Sequence, residues 1–491
     1  MSSAGSLSDV HGNPVAGPAE GVERYDTAVD LLVRFRPEVV PAMVALTREV
    51  PDFALGHVLS GYLSLTSTDA PDVAHARRAL VRLDGLAPAL DERAAAHRAA
   101  LAAWAAGDWH GAARRLDDLL VRWPGDLLAL LVGHQLDFFL GDAGNLRDRV
   151  GRSLHAIDPA HPHHAIVRGM YAFGLEESGH YDQARAHGLA ALDRNPDDVW
   201  AIHAVVHTYE MEGRVDDGLR FLRQREDQWG DGNLFVVHNR WHHALYQLEA
   251  GQPEAALATY DGHVHNAASP GVPLEMLDAS ALLWRLLLDG ADTGGRFGPL
   301  ADAWSTRVGD EPWYVFNDLH AVMAFAGAAR FDDARAVIAR LEAYVAAADA
   351  DADADAGGPA GRGRGARSNV AMTADVGLPA CRAILAYAEG RDADVLDELL
   401  PVRTILHRFG GSHAQRDAVQ RTIVDAALRS GRHDLASALL GERLARRESS
   451  VYSLLRWAEV LQAQGDVAGA AQAAAEAVGH RARFAAATAA A

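Results

Sequence analysis

Gly107-Asp108-Trp109-His110-Gly111-Ala112-Ala113-Arg114-Arg115-Leu116, followed by Pro124, is the stretch that decides the fold. A turn glycine, an aromatic residue two positions on, a small residue, a large apolar one and a terminating proline make up the second half of a tetratricopeptide unit. The phrase returns along the chain. Gly179-His180-Tyr181 leads to Ala184, Ala191 and Pro196, Gly213 leads to Gly218 and Leu222, and Gly251 leads to Ala256 and Tyr260. The turns at Gly179, Gly213 and Gly251 are 34 and 38 residues apart, and Gly431 and Gly465 are again 34 apart. Weaker copies surround Arg330-Phe331 with Ala334, Gly390, Gly431 with Ala436, and Gly465 with Ala470. Small residues recur because the helices of a hairpin must approach closely, while the glycine ends one helix and lets the chain reverse.

Around these phrases alanine, leucine and arginine dominate, apolar positions fall three and four apart, and alternating β-branched runs are nearly absent. The sequence therefore predicts an all-α fold, a right-handed α-solenoid of tetratricopeptide-like helical hairpins. One superhelix is expected over residues 22–480, after a disordered, Ser/Gly/Pro/Ala-rich start at 1–21 and before an Ala-rich tail at 481–491. Residues 346–368 combine Asp-Ala alternation, Gly357-Gly358-Pro359 and Arg362, Arg364 and Arg367, and read as a disordered insertion.

Composition removes several kinds of chemistry. Hydrophobic residues are 49% and charged residues 23% of the 491, the balance of a chain that buries a sizeable core. All 46 basic residues are arginines, so no Schiff-base lysine and no P-loop lysine is present. The single cysteine, Cys381, rules out an internal disulfide, a thiolate zinc site and a cysteine-ligated cluster. A net charge of −20 disfavours nucleic acid and anionic membrane surfaces. No apolar run approaches a membrane span and the start lacks a signal-peptide pattern, so a cytoplasmic protein is expected.

The informative positions are those where a repeat scaffold wants alanine or leucine and this chain has ionisable groups. His203, His207 and Glu210 stand at i, i+4 and i+7 on one helical face. The next unit carries His238, Asn239, Trp241, His242, His243, Tyr246 and Glu249, with the same spacing from His242 through Tyr246 to Glu249. A later helix has Asn317, Asp318 and His320. Gly410-Gly411-Ser412-His413-Ala414-Gln415-Arg416-Asp417 opens a further one, with Ser412 and Gln415 at capping-box spacing. The helix start could also receive an anion. Repeat arrays bring distant segments together on a concave surface, and the expected pocket lining follows. His203, His207, Glu210, His242, Asp318, His320, His413 and Asp417 are the candidate catalytic groups. Arg416, Asn239, Trp241, Tyr246 and Asn317 are the candidate substrate contacts.

His203-x3-His207 beside a carboxylate satisfies the ligand chemistry of zinc or non-haem iron, but no HExxH or comparably specific signature accompanies it. No GxGxxG follows a strand. The reading is of a site without metal or cofactor, doing His/Asp/Glu proton transfer with arginine as anion clamp.

These residues lie in phrases that resemble the tetratricopeptide repeat protein 38 family. Gly169-Met170-Tyr171-Ala172-Phe173-Gly174-Leu175-Glu176, the Trp200-to-Met211 helix, His238-Asn239-Arg240-Trp241-His242, Phe316-Asn317-Asp318-Leu319-His320 and Gly410 to Asp417 carry the resemblance, which runs from about Tyr25 to about Ala445. It implies one continuous superhelix. Some bacterial members lie in specialised-metabolite clusters, including that of the azapteridine toxoflavin. The resemblance thus implies a small-molecule enzyme for cofactor-independent oxidation, or a related acid–base step, on a nitrogen heterocycle. The competing expectation is a non-catalytic scaffold holding a protein or peptide partner.

Overall fold

At Gly107 the chain reverses through a left-handed residue. Its φ is +90°, a conformation that costs residues with a β-carbon about 1–2 kcal/mol. The Gly107 amide donates to the Trp104 carbonyl at 2.8 Å and the Asp108 amide to that of Ala103 at 2.9 Å, closing the helix end. Asp108 then caps the next helix, its carboxylate accepting from the Gly111 amide at 2.7 Å. Trp109, Ala112 and Leu116 of the repeat phrase are all buried. Before Arg330 the reversal falls instead on Ala329, at φ +56°, which is why that copy of the phrase reads weakly.

The computed structural model describes residues 7–309, 311–354 and 367–489. It is all-α apart from a two-residue antiparallel pairing of β1 (Leu7–Ser8) with β2 (Pro14–Val15). The chain divides into two compact units, the first of Met1–Ala204, Asp231–Phe235 and Val345–Ala371, the second of Val205–Gly230, Val236–Tyr344 and Met372–Ala491.

The first unit holds α1 (Ala19–Val33), α2 (Val39–Glu49), α3 (Ala54–Thr66), α4 (Val73–Gly85), α5 (Glu92–Ala105), α6 (Trp109–Arg122), α7 (Leu127–Phe139), α8 (Ala143–Leu154), α9 (Pro162–Glu177) and α10 (Tyr181–Leu192). They pack as successive hairpins, α3 on α4, α5 on α6, α7 on α8 and α9 on α10. Helix α11 (Val199–Met211) begins here. The expectation of a disordered start is corrected for residues 7–21. Arg93, itself buried, meets Asp9 at 2.7 Å and Asp126 at 2.5 Å, and the Asn13 amide donates to the Gly125 carbonyl at 3.1 Å. A buried guanidinium needs both carboxylates, and Asp9 supplies one of them. Residues 1–6 lie outside the described residues.

The second unit continues with α12 (Val215–Gln224), α13 (Glu226–Trp229), α14 (Val236–Glu249), α15 (Pro253–Thr259), α16 (Pro273–Leu288), α17 (Phe297–Ser305) and α18 (Val315–Gly327). Helix α19 (Phe331–Ala354) belongs to it as far as Tyr344, α20 (Ser368–Met372) belongs to the first unit up to Ala371, and the second unit goes on with α21 (Leu378–Ala388), α22 (Asp392–Leu399), α23 (His413–Arg429), α24 (His433–Arg446), α25 (Val451–Ala463) and α26 (Val467–Ala489). Helix α16 is central, packing against α14, α18 and α23.

Two further expectations change. Helix α19 runs on through Ala354, because Asp-Ala alternation keeps enough alanine to propagate a helix. Residues 355–366 of the predicted insertion lie outside the described residues. The Ala-rich tail continues α26 as far as Ala489. Ser368–Ala388 is also long and apolar enough to cross a membrane, although polar residues interrupt it, and 72% of its apolar window is buried within the fold.

Candidate functional site

In the second unit three imidazoles gather, His207 from α11 and His238 and His242 from successive turns of α14. The His207 and His242 ring centroids are 4.4 Å apart and those of His238 and His242 4.8 Å, both pairs edge-on. One ring nitrogen from each histidine lies within 4.8 Å of one from each of the others. His207 and His242 are fully buried, and His238 reaches partly toward the surface.

A carboxylate holds Nδ1 of each α14 imidazole. Glu210 Oε2 lies 3.0 Å from His242 Nδ1, and Asp278 Oδ2 lies 2.7 Å from His238 Nδ1. An ionised carboxylate only accepts, so each contact favours the Nδ1–H tautomer and leaves the lone pair on Nε2. Burial, then the neighbouring His207, His238 and Arg285, push His242 well below the ordinary imidazole range, so it is neutral. The Trp241 ring stacks on His238 at 5.2 Å and lies under the Arg285 guanidinium at 5.5 Å, which makes it a wall of the cluster.

The start of α23 supports the same group. Ser412 and Gln415 form the expected capping box, the Gln415 amide donating to Ser412 Oγ at 3.2 Å and the Ser412 amide to Gln415 Oε1 at 3.0 Å. Gln415 Nε2 then donates to Asp278 Oδ1 at 3.4 Å. One side chain thus caps a helix and steadies the carboxylate behind His238.

Several predicted residues do other work. Asp417 is the centre of an ion-pair network, 2.8 Å from Arg421 and 2.7 Å from Arg443. Arg421 also reaches Glu249 at 3.6 Å. Asp417, Arg421 and Glu249, together with Glu210, Tyr246 and Arg285, line a cavity of about 20 Å³, room for about one water. Tyr246 is a packing anchor, its hydroxyl donating to the Val206 carbonyl at 2.6 Å. Arg416 does not stand open to an anion, since its guanidinium is spent on the Gly410 and Gly411 carbonyls of its own loop and on His413 Nδ1 at 3.2 Å. His413 is exposed.

Asp318 pairs with Arg340 at 2.6 Å, and burial, partly offset by that arginine, pushes its carboxyl up to about 6. His320 gives Nδ1 to the Phe316 carbonyl at 2.7 Å, and burial lowers it to about 4. Asn317 is half-buried at the start of α18. His203 belongs to the first unit, packed against Phe173, Trp200 and Phe235. Asn239 is fully buried with no hydrogen-bond partner for its amide among the described residues. Of the thirteen predicted site residues, the histidine cluster collects His207, Glu210, Trp241 and His242.

Sequence reasoning singled out His238 without assigning it a role, and missed Asp278. The signal for Asp278 was available, a lone carboxylate inside the apolar run from Met276 to Leu288.

A second feature of this unit is a groove of about 590 Å³ bounded by α19, α21 and α22. Arg335, Arg382 and Arg391 line it with Glu342, Glu389, Asp394, Asp397 and Glu398. Arg382 bonds Glu342 at 2.7 Å, and Arg391 bonds Glu389 at 2.7 Å and also Asp394.

No protein-family model matches the chain. Solved helical-repeat structures are similar to it at low identity. A Rap protein complexed with competence and sporulation factor is 10% identical over 67% of this chain and 94% of that one, with a TM-score of 0.41. A human IFIT1 dimer with m7Gppp-AAAA is 12% identical over 95% and 96%, with a TM-score of 0.38. The P58(IPK) TPR domain is 12% identical over 79% and 93%, with a TM-score of 0.21. The likeness is remote, and the chain's own residues carry the functional reading.

Proposed function

We propose that this chain is a helical-repeat binding protein whose groove between α19, α21 and α22 takes a basic peptide segment of a protein partner. The crowding of carboxylates in that groove carries the reading. Burial, and then the charges of Asp394, Asp397 and Glu342, raise the Glu398 carboxyl above its ordinary value despite Arg382 nearby. A cationic side chain from a partner relieves that repulsion, and the net charge of −20 steers such a partner toward the surface. The test is fluorescence anisotropy with a labelled arginine-rich peptide and an acidic peptide of equal length. The arginine-rich peptide binds, salt weakens it, and Asp397→Asn combined with Glu398→Gln weakens it about tenfold. Equal binding of both peptides, or an unchanged affinity of the double variant, overturns the reading.

A second reading, proton-transfer chemistry on a small molecule, is supported by the two largely buried imidazole–carboxylate pairs, His242 with Glu210 and His238 with Asp278. The resemblance to the tetratricopeptide repeat protein 38 family makes a nitrogen heterocycle the substrate class of that reading, with His207 or His242 as proton carrier. The cavity beside Glu210 is water-sized, so a flat bicyclic ring enters only if the surrounding helices part. Oxidation of an azapteridine precursor therefore has no support of its own in the geometry.

A further inference from the structure

We propose that His207, His238 and His242 bind one divalent transition-metal ion of the zinc class. The donor set is what such an ion takes, three imidazoles from two helices, with a fourth position for water. His238 and His242 are one turn apart on α14, so their relative placement is fixed by the helix itself. His207 comes from α11, and its ring is 4.4 Å from that of His242. Nitrogens around a tetrahedral zinc are about 3.3 Å apart. Side-chain rotations of about an ångström bring the three nitrogens, now within 4.8 Å of one another, to that spacing.

The surroundings favour an ion over a merely packed histidine cluster. Glu210 and Asp278 each hold an Nδ1, the arrangement that orients a metal-binding imidazole and raises its basicity at Nε2. Two carboxylates also balance the two charges of the ion. Asp278 is itself fixed by Gln415, and Trp241 covers one face of His238, so the supporting layer is rigid. A packed cluster has no use for carboxylates buried behind two of its rings, because each adds a desolvation cost that apolar side chains avoid. This inference stands apart from the groove, whose residues belong to other helices.

The test uses the full-length chain, stripped with chelator and then titrated with zinc alone and with cobalt alone. One ion per chain is expected by calorimetry and by metal analysis after gel filtration. Cobalt is expected to give the visible absorption of a four-coordinate site, and the melting temperature rises with zinc concentration. His207→Gln and His242→Gln abolish binding, whereas His75→Ala, at an exposed position of the first unit, retains it. Asp278→Asn keeps all three ligands and weakens binding 10- to 100-fold. Absence of saturable binding overturns the proposal, as does stoichiometric binding by His207→Gln and His242→Gln. Should those two variants fail to fold, an unchanged affinity of Asp278→Asn overturns it equally.

Discussion

Gly218 on α12 lies so close to Tyr246 on α14 that a β-carbon there would overlap the phenol ring. The Tyr246 hydroxyl is fixed in turn by the Val206 carbonyl of α11, at 2.6 Å. A glycine inside a helix is worth replacing on propensity alone, by about 1 kcal/mol in favour of alanine. Overlap in a packed interior costs about 1–3 kcal/mol. Gly218→Ala is therefore expected to lose stability in urea denaturation, and the loss shrinks in a Tyr246→Leu background. A stabilised Gly218→Ala would show that α12 and α14 do not approach this closely.

Asp198 caps α11, its Oδ1 accepting from the Trp200 and Ala201 amides at 3.1 and 3.0 Å. Burial, opposed only in part by those amides, raises its carboxyl to about 7. The folded chain then holds a proton that the unfolded chain releases above about pH 4. Its contribution is complete below that pH and is lost as pH rises toward 7, by roughly 4 kcal/mol for three pKa units. Asp198→Asn keeps the acceptor and carries no charge. The stability of wild type relative to Asp198→Asn, followed from pH 4 to 8, is expected to fall and then level off (about pH 7).

Asp417 behaves in the opposite sense. Burial alone would raise its carboxyl, but Arg443 and Arg421 hold it well below the ordinary range. Its stabilisation is present above about pH 4 and is lost as pH falls through the depressed value. Asp417→Ala leaves two largely buried guanidinium groups without their shared partner and is expected to cost about 3–5 kcal/mol at neutral pH. The deficit narrows in acid, measured by thermal unfolding across the pH range. A loss confined to activity, with stability intact, would restore the catalytic role that the sequence implied for this residue.

The repeat phrases made the helical hairpins legible because turn glycines, capping aspartates and small contact residues act within a few positions of one another. Gly107, Asp108 and Ala112 announce their roles without help from the rest of the chain. The histidine face was partly legible for the same reason, since His207 and Glu210 on α11, and His238 and His242 on α14, share faces set by helical spacing. The weak copy at Arg330 was harder to read because Ala329 adopts a backbone conformation that sequence leaves to glycine.

What the sequence determined by itself is therefore local, namely where helices begin, where they end and which polar groups share a face. Tertiary structure decided which of those groups meet. His238 found Asp278 forty residues away, Gln415 closed on Asp278 from 137 residues further, and Arg416 turned to its own loop carbonyls. The reason is physical. An isolated helix leaves an ionisable side chain in water, whereas packing withdraws the water and forces each buried donor or charge onto whichever partner the neighbouring helices bring within reach.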